Sequence, residues 1–248
     1  MKERPIIFST PMVQAILDGR KTQTRRIVKP QPEDGLWNDD KYPRSLDSTL
    51  TGWNGVVAGT GESKEFKCPY GKIGDILWVR ETWRIVGWRV GEPFVIEYKD
   101  GKKQFDVYLN ESRADDYNIE CTNQCLDAGL KTDIDDNFIR PKEGYPTKWR
   151  SPRFIPKEAC RIRLEITDIR VERLREINEK DAIAEGLKKD GLFYFTPNPK
   201  KKKWHDSENL VNLSPIETYR QLWESINGKG SWEQNPWVWV ISFKHIKS

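Results

Sequence analysis

The sequence is poor in the residues that build disulfide frameworks and metal centres, since its 248 residues include four cysteines and two histidines. The cysteines are too few and too scattered for a disulfide framework, so reduced thiols are favoured. Cys121 and Cys125 have a spacing found in one half of some zinc sites, but no second close pair follows them, and His205 and His245 lie far along the chain. We therefore expect neither a metal nor another cofactor, with a structural zinc at this cysteine pair as the alternative.

Long apolar runs are also missing from the sequence. No stretch approaches the ~20 apolar residues that a membrane span needs. The basic start of the chain is followed only by the short run Pro5-Ile6-Ile7-Phe8, which is less than the apolar core of a signal peptide. Because 36% of the residues are hydrophobic and 32% are charged, the composition is that of a globular protein. We expect a cytoplasmic protein with no membrane partner.

Apolar spacing and end signals predict a mixed α and β fold. A short helix is predicted that has Ser9 or Thr10 as its N-cap, Pro11 as its first residue and Gly19 as its C-cap. Ser214-Pro215-Ile216-Glu217 is a capping box that opens an amphipathic helix. Residues 76–80 and 236–243 are apolar on both faces, which is typical of strands in the interior of a sheet.

A longer strand is predicted between residues 162 and 171. Its apolar residues alternate in one phase as far as Ile166 and in the opposite phase from Ile169, so we expect a bulge near Thr167 and Asp168. A short helix then runs from Asn178 and ends at Gly186, which leaves Glu185 in its last turn. A carboxylate at that end of a helix is unfavourable for the helix dipole and suggests a functional reason.

Three polar segments without a sustained period, at about 30–72, 110–147 and 187–212, are interpreted as long loop insertions. The order of the remaining elements is strand-dominated. It predicts an α+β fold in which a small curved β-barrel carries helices at its rim. We therefore expect a single domain over residues 1–248, although the length also allows two small domains.

Basic residues are clustered, although the net charge of +4 is mild. The middle cluster includes Arg150 and Arg153 and is interleaved with Trp149, a combination that can hold phosphates while stacking bases. Lys200 to Lys203 form a later run that is followed by Trp204. The alternative interpretation of both clusters is a solvated surface.

The segment Gly19-Arg20-Lys21-Thr22-Gln23-Thr24-Arg25 lies where the first helix gives way to a strand. Together with the stretch Gly74 to Val79, the helix that ends at Glu185 and the run Trp239 to Phe243, it resembles the ASCH domain of the PUA-like superfamily. The chain is most similar to the longer ASCH proteins common in phage and prophage genomes, which share the patterns Cys68-Pro69-Tyr70-Gly71 and Trp78-Val79-Arg80-Glu81-Thr82-Trp83.

This resemblance implies a catalytic triad. The small ASCH enzymes are amidohydrolases that remove the acetyl group from N4-acetylcytidine, and by similarity Lys21 is the proton acceptor, Thr24 the nucleophile and Glu185 the proton donor. A threonine hydroxyl needs a neighbouring base, and a lysine can be that base only if its pKa is lowered by burial or by nearby cations. In a straight strand, positions 21 and 24 face opposite sides, so we expect Lys21 to belong to the turn or the chain to bend.

Two functions remain open from the sequence. The first is an amidohydrolase acting on an N4-acylated cytosine nucleoside or a related modified base. The second is a module that binds nucleic acid, RNA in preference to DNA, and recognises a modified base without catalysis. A ribonuclease is a weaker third possibility, since the basic segments offer no pair of histidines. The residues expected to contact nucleoside or nucleic acid are Arg20, Arg25, Arg26, Trp83, Trp149, Arg150 and Arg153.

Overall fold

The computed structural model describes residues 1–31, 53–56, 63–66, 68–89, 91–134, 137–139, 141–142, 144–190, 193–195 and 214–246. The predictions for Lys200 to Lys203, Trp204 and His205 therefore lie outside the described residues. The α-helices of the described part are α1 (Thr10–Leu17), α2 (Glu111–Asp127), α3 (Glu179–Ala184) and α4 (Pro215–Asn227). Its strands are β1 (Glu3–Ile7), β2 (Gln23–Ile27), β3 (Trp53–Val56), β4 (Ser63–Phe66), β5 (Ile76–Arg80), β6 (Trp83–Gly87), β7 (Phe94–Tyr98), β8 (Lys103–Val107), β9 (Arg163–Arg173), β10 (Lys188–Asp190), β11 (Phe193–Phe195) and β12 (Trp237–Ile246).

The predicted mixed α and β class is confirmed, with sheets as the larger part. The main sheet has five strands in the order β1-β5-β9-β12-β2, and β12 runs antiparallel to both of its neighbours. In the strand pairings of the described residues, β1 and β2 are the edges of this sheet, which is not closed into a barrel. The strands β6, β7 and β8 form a second, antiparallel sheet.

The predicted bulge in the long strand is confirmed. Ser242 pairs with Asp168 and Phe243 pairs with Ile166, so Thr167 is the extra residue of β9. This bulge reverses the alternation, which allows Leu164 and Ile166 on one side of it and residues 169 and 171 on the other to be buried together. The last strand lies inside the sheet between β9 and β2, as its apolar faces predict.

Residues 110–147 were expected to be a polar loop insertion, and that expectation is wrong for the 17 residues of α2. Asn110 caps this helix by accepting a hydrogen bond from the backbone N–H of Arg113 at 3.0 Å. The buried face of the helix is made of Asn118, Cys121, Gln124 and Cys125. Because this face contains amides and thiols in place of large aliphatic side chains, its helical period is weak on a hydrophobicity scale.

The chain divides into two compact units, each with more contacts within itself than with the other. The first comprises residues 1–5, 11–77 and 163–248, and the second comprises residues 6–10 and 78–162. Each has its own apolar cluster: that of the first includes Leu174, Leu222 and Trp223, and that of the second includes Trp83 and Phe94. The organisation as a single domain stays a prediction. Within the described part of the chain, no helix has the length and apolar character needed to cross a membrane.

Candidate active site

Lys21 and Glu185, which are 164 residues apart in sequence, meet in the first unit. Lys21 Nζ donates hydrogen bonds to Glu185 Oε2 at 2.7 Å, to the Glu185 carbonyl at 2.9 Å and to the Gln23 carbonyl at 2.9 Å. The two backbones also form an isolated antiparallel bridge at these residues. The residues expected to be the proton acceptor and the proton donor are therefore in direct contact.

The turn after α1 delivers Lys21 to this position. Gly19 adopts a left-handed conformation with φ of +74°, and the N–H groups of Arg20 and Lys21 both donate to the Ala15 carbonyl at 2.9 Å. Lys21 precedes β2, as expected if it belongs to the turn.

Glu185 follows the last residue of α3, and Gly186 allows this end of the helix to approach Lys21 closely. A Cβ at position 186 would lie 3.0 Å from the Cβ atoms of both Ala15 and Lys21, and the φ of Gly186 is +102°. Glycine is therefore the residue that fits, because any side chain would both clash and strain the backbone. The contact between the predicted acid and base depends on this close packing.

Both members of the pair are removed from solvent, since the Lys21 side chain is 0% exposed and the Glu185 side chain 4% exposed. Burial lowers the pKa of the Lys21 ammonium below its ordinary value, while Glu185 opposes this effect, and Arg26 and Arg25 add to it. This is the direction that a lysine needs if it is to accept a proton. From the sequence, burial and nearby cations are both possible causes of a lowered pKa of Lys21. In the structure, burial is the larger cause.

Arg25 extends the pair into a larger buried network. Its guanidinium contacts Glu172 at 2.5 Å, Asp181 at 3.1 Å and Glu185 at 3.4 Å, and its side chain is 0% exposed. Burial alone would lower the pKa of Arg25, but the neighbouring Glu185 and Glu172 contribute to raising it. Arg170 closes the network from β9 through its contacts with Asp181 and Glu172.

Thr24 lies in β2 between Gln23 and Arg25 and is 3% exposed. Because consecutive side chains of a strand point to opposite faces, Thr24 faces away from the side on which Arg25 meets the carboxylates. The Lys21 amine nevertheless lies against the peptide that joins Gln23 to Thr24, through its hydrogen bond to the Gln23 carbonyl. The three residues of the implied triad are thus close along the backbone, with Thr24 on the other face.

Tyr219 of α4 is a neighbour of the site that the sequence did not single out. It is 3% exposed, and Arg25 lies 5.9 Å from the centre of its ring. Burial raises the pKa of this phenol well above its ordinary value, and Glu185 adds to the effect. In the sequence, Tyr219 is one apolar position in the stripe of an amphipathic helix, and nothing there distinguishes it from a core residue.

The other basic residues of the first segment differ in their surroundings. Arg20 is partly exposed, where it pairs with Asp18 at 2.8 Å and donates to the Gly186 carbonyl at 2.7 Å. Arg26 is half-buried and follows Arg25 in β2. Arg20 therefore stabilises the turn around the pair.

The remaining predicted binding residues belong to the second unit. Trp83 is fully buried, with Arg150 5.5 Å from its ring centre, so its ring is not accessible to a base. Trp149 is 38% exposed, and Arg153 is exposed as well. Arg150 pairs with Glu120 at 2.8 Å. Of these residues, Trp149 and Arg153 are the ones that a nucleic acid can reach.

Cys121 and Cys125 lie four residues apart on the buried face of α2. All four cysteines are free, and burial raises the pKa of the Cys121 thiol to about 12. Among the residues that the structure describes, no group of three or more histidine, cysteine, aspartate or glutamate side chains is placed to hold a metal ion.

Comparisons of this chain with protein-family models, with curated proteins and with solved structures found no match.

Proposed function

We propose that this chain is an ASCH-type amidohydrolase with a PUA-like fold, which removes the acyl group from an N4-acylated cytosine nucleoside or a related modified base. One observation carries the proposal: Lys21 and Glu185, the two residues that the resemblance selects as base and acid, lie 2.7 Å apart in a buried site. An ordinary surface lysine and an ordinary surface glutamate 164 residues apart would have no general reason to meet in a buried site.

The proposed reaction needs a neutral Lys21 amine, which can accept a proton, and a protonated Glu185, which can donate one. The 2.7 Å contact between Nζ and Oε2 is the route by which one proton can pass from Lys21 to Glu185. The positive charge of Arg25 also lowers the pKa of Lys21, which favours the neutral amine.

The reaction then runs through an acyl-enzyme. The Thr24 hydroxyl lies on the other face of β2, so the proposed reaction requires a local movement of this strand that brings the hydroxyl to the Lys21 amine. The amine then takes the hydroxyl proton as Thr24 Oγ1 bonds to the acyl carbon, and the C–N4 bond breaks as Glu185 gives its proton to N4. Water hydrolyses the acyl-threonine, which releases the carboxylic acid and restores the hydroxyl. The products are one carboxylic acid and one cytosine nucleoside for each water consumed.

The position of Thr24 makes its role the most informative part of the test. We expect Thr24→Val, which keeps the shape and removes the hydroxyl, to lose at least about 100-fold in kcat, the scale that a positioned catalytic group contributes. Thr22→Val is the matched control because Thr22 belongs to the same motif and is exposed. Full activity of Thr24→Val together with loss in Lys21→Met would identify water as the nucleophile.

The test of the whole proposal is turnover of N4-acetylcytidine to cytidine, followed by chromatography. Wild type is expected to be active and Lys21→Met and Glu185→Gln to be inactive, whereas Lys180→Met and Glu179→Gln, exposed neighbours on α3, keep their activity. An inert wild-type protein at high concentration, on both the free nucleoside and acetylated RNA, would contradict the proposal.

A second candidate function, binding of nucleic acid without catalysis, is favoured by the surface around Trp149. The Lys99 ammonium lies 4.1 Å and the Arg84 guanidinium 4.7 Å from the centre of its ring, so positive charge lies beside an aromatic side chain that is 38% exposed. Such a combination suits a nucleic acid, whose phosphates and bases need both.

Salt dependence tests this second function. If Lys99 neutralises a phosphate, Lys99→Gln reduces the slope of log affinity against log salt for single-stranded RNA by about 1. Lys131→Gln, an exposed lysine of the same unit, leaves that slope unchanged. RNA binding in the absence of turnover of any acylated base would favour this function over the amidohydrolase.

A further inference from the structure

The second unit contains a cavity of about 660 Å3 that shares no residue with the Lys21 and Glu185 site. It lies between the turn after β6, one face of α2 and the segment that follows α2. Its volume is within the range of cavities that bind small molecules in proteins. The side chains that line it indicate which class of molecule that is.

The most informative polar side chain of the cavity is Asn118 of α2. Asn118 is 8% exposed, and its Oδ1 has no hydrogen-bond partner among the described residues. A buried acceptor without a donor is unfavourable, so native proteins rarely keep one without a reason. In this orientation the amide of a cavity-lining residue has an unused acceptor, which an N–H group of a bound molecule can fill.

Thr122 lies one helical turn from Asn118 and also lines the cavity. Its Oγ1 accepts a hydrogen bond from Trp88 Nε1 at 3.4 Å, which leaves its own hydroxyl hydrogen available to a further acceptor. The two side chains together place a donor and an acceptor along the same face of α2.

The walls of the cavity are aromatic and held in place. The rings of Trp88 and Tyr145 meet edge to face with centres 5.2 Å apart, and Tyr145 donates its hydroxyl hydrogen to the Phe138 carbonyl at 3.1 Å. Aromatic walls suit a flat ring, which can stack on them or meet them edge to face.

The charges at the cavity indicate a ligand without a large charge of its own. Arg89 and Glu92, of opposite sign, both line it, lie 3.6 Å apart and are more than half exposed. Their fields largely cancel, so neither a polyphosphate nor a polycation is attracted strongly.

We propose that this cavity is a binding site for a neutral nucleobase or nucleoside that carries an exocyclic amino group beside a ring nitrogen, as adenine and cytosine do. The amide of Asn118 accepts from the amino group and donates to the ring nitrogen, the pairing that an asparagine side chain makes with adenine. Trp88 and Tyr145 hold the ring. The proposal does not depend on the amidohydrolase function.

Isothermal titration calorimetry with free nucleosides tests this site. We expect adenosine or cytidine to bind, and their keto counterparts inosine and uridine to bind at least tenfold more weakly, because a carbonyl oxygen cannot donate to Asn118. Absence of binding by all four nucleosides at millimolar concentration, or equal binding of the amino and keto members, overturns the proposal.

Variants show where the nucleoside binds. Asn118→Leu and the milder Thr122→Val are expected to weaken binding at least tenfold and about threefold, while Asn123→Leu, on the exposed side of the same helix, leaves it unchanged. If Asn118→Leu does not fold, as judged by its thermal unfolding, Thr122→Val still gives the answer. Loss of binding in Lys21→Met with full binding in Thr122→Val would assign the nucleoside to the Lys21 site and overturn the proposal.

Discussion

Arg25 offers one guanidinium to three carboxylates, those of Glu172, Asp181 and Glu185. Its side chain is fully buried and that of Glu185 nearly so, while the side chains of Glu172 and Asp181 are 13% and 16% exposed. A planar guanidinium with five donors suits this arrangement, whereas an ammonium would contact the carboxylates as a point charge. The residue next to the implied nucleophile thus determines the charge balance of the whole site.

Replacement of Arg25 by methionine is expected to lower the free energy of unfolding by about 3 kcal/mol, because in the described part of the chain three carboxylates then have only Arg170 and Lys21 as cationic partners. Urea denaturation measures this loss. Arg220→Met is the control, since among the described residues Arg220 pairs only with two exposed glutamates at 3.6 and 3.7 Å, and such pairs contribute about 0–1 kcal/mol. Equal losses in the two variants would show that the buried network adds little stability.

The bulge in β9 gives a prediction at the scale of a single strand. Deletion of Thr167 leaves Leu164, Ile166, Ile169 and Val171 in strict alternation, so the same faces remain buried and the ladder with β12 becomes regular. We expect this variant to fold with a change in the free energy of unfolding of less than about 2 kcal/mol.

Deletion of Glu165 from the same strand is the matched comparison. It also removes one residue that is not fully buried, but it leaves Leu164 and Ile166 adjacent, so one of them must turn to the other face of the sheet. We expect loss of cooperative unfolding in circular dichroism. A folded protein after the Glu165 deletion, or an unfolded one after the Thr167 deletion, would contradict this account of the strand.

Strands whose apolar and polar residues follow a clear pattern could be predicted from the sequence. They include β9 with its bulge at Thr167 and the last strand with its interior position in the sheet. Helix α2 could not be predicted, because its buried face consists of Asn118, Gln124 and two cysteines, which do not mark a core. The pairing of Lys21 with Glu185 followed from a resemblance. The network around Arg25 could not be predicted, since no sequence pattern pairs an arginine with carboxylates about 150 residues away.

For the molecule as a whole, the buried lysine connects folding to pH. The folded-state pKa of Lys21 lies below its ordinary value of 10.5, so between these two values the unfolded chain binds more protons than the folded one. The free energy of unfolding therefore rises with pH through this window and levels off above 10.5.

The measurement is the difference in the free energy of unfolding between wild type and the double variant Lys21→Met/Glu185→Gln, followed from neutral to alkaline pH. The double variant lacks both charges, so titration elsewhere in the protein cancels from the difference. We expect the difference to shift in favour of wild type as the pH rises. A shift in the opposite direction would mean that the attraction of Glu185 outweighs the burial of Lys21.

The 164-residue separation of Lys21 and Glu185 also bears on the synthesis of the protein. At 5–20 residues per second, a ribosome needs about 8 to 33 s to add the residues between them. During that time Lys21 has no contact with Glu185, and the end of α3 that packs against it does not yet exist. The proposed site is therefore assembled only after most of the protein has been translated.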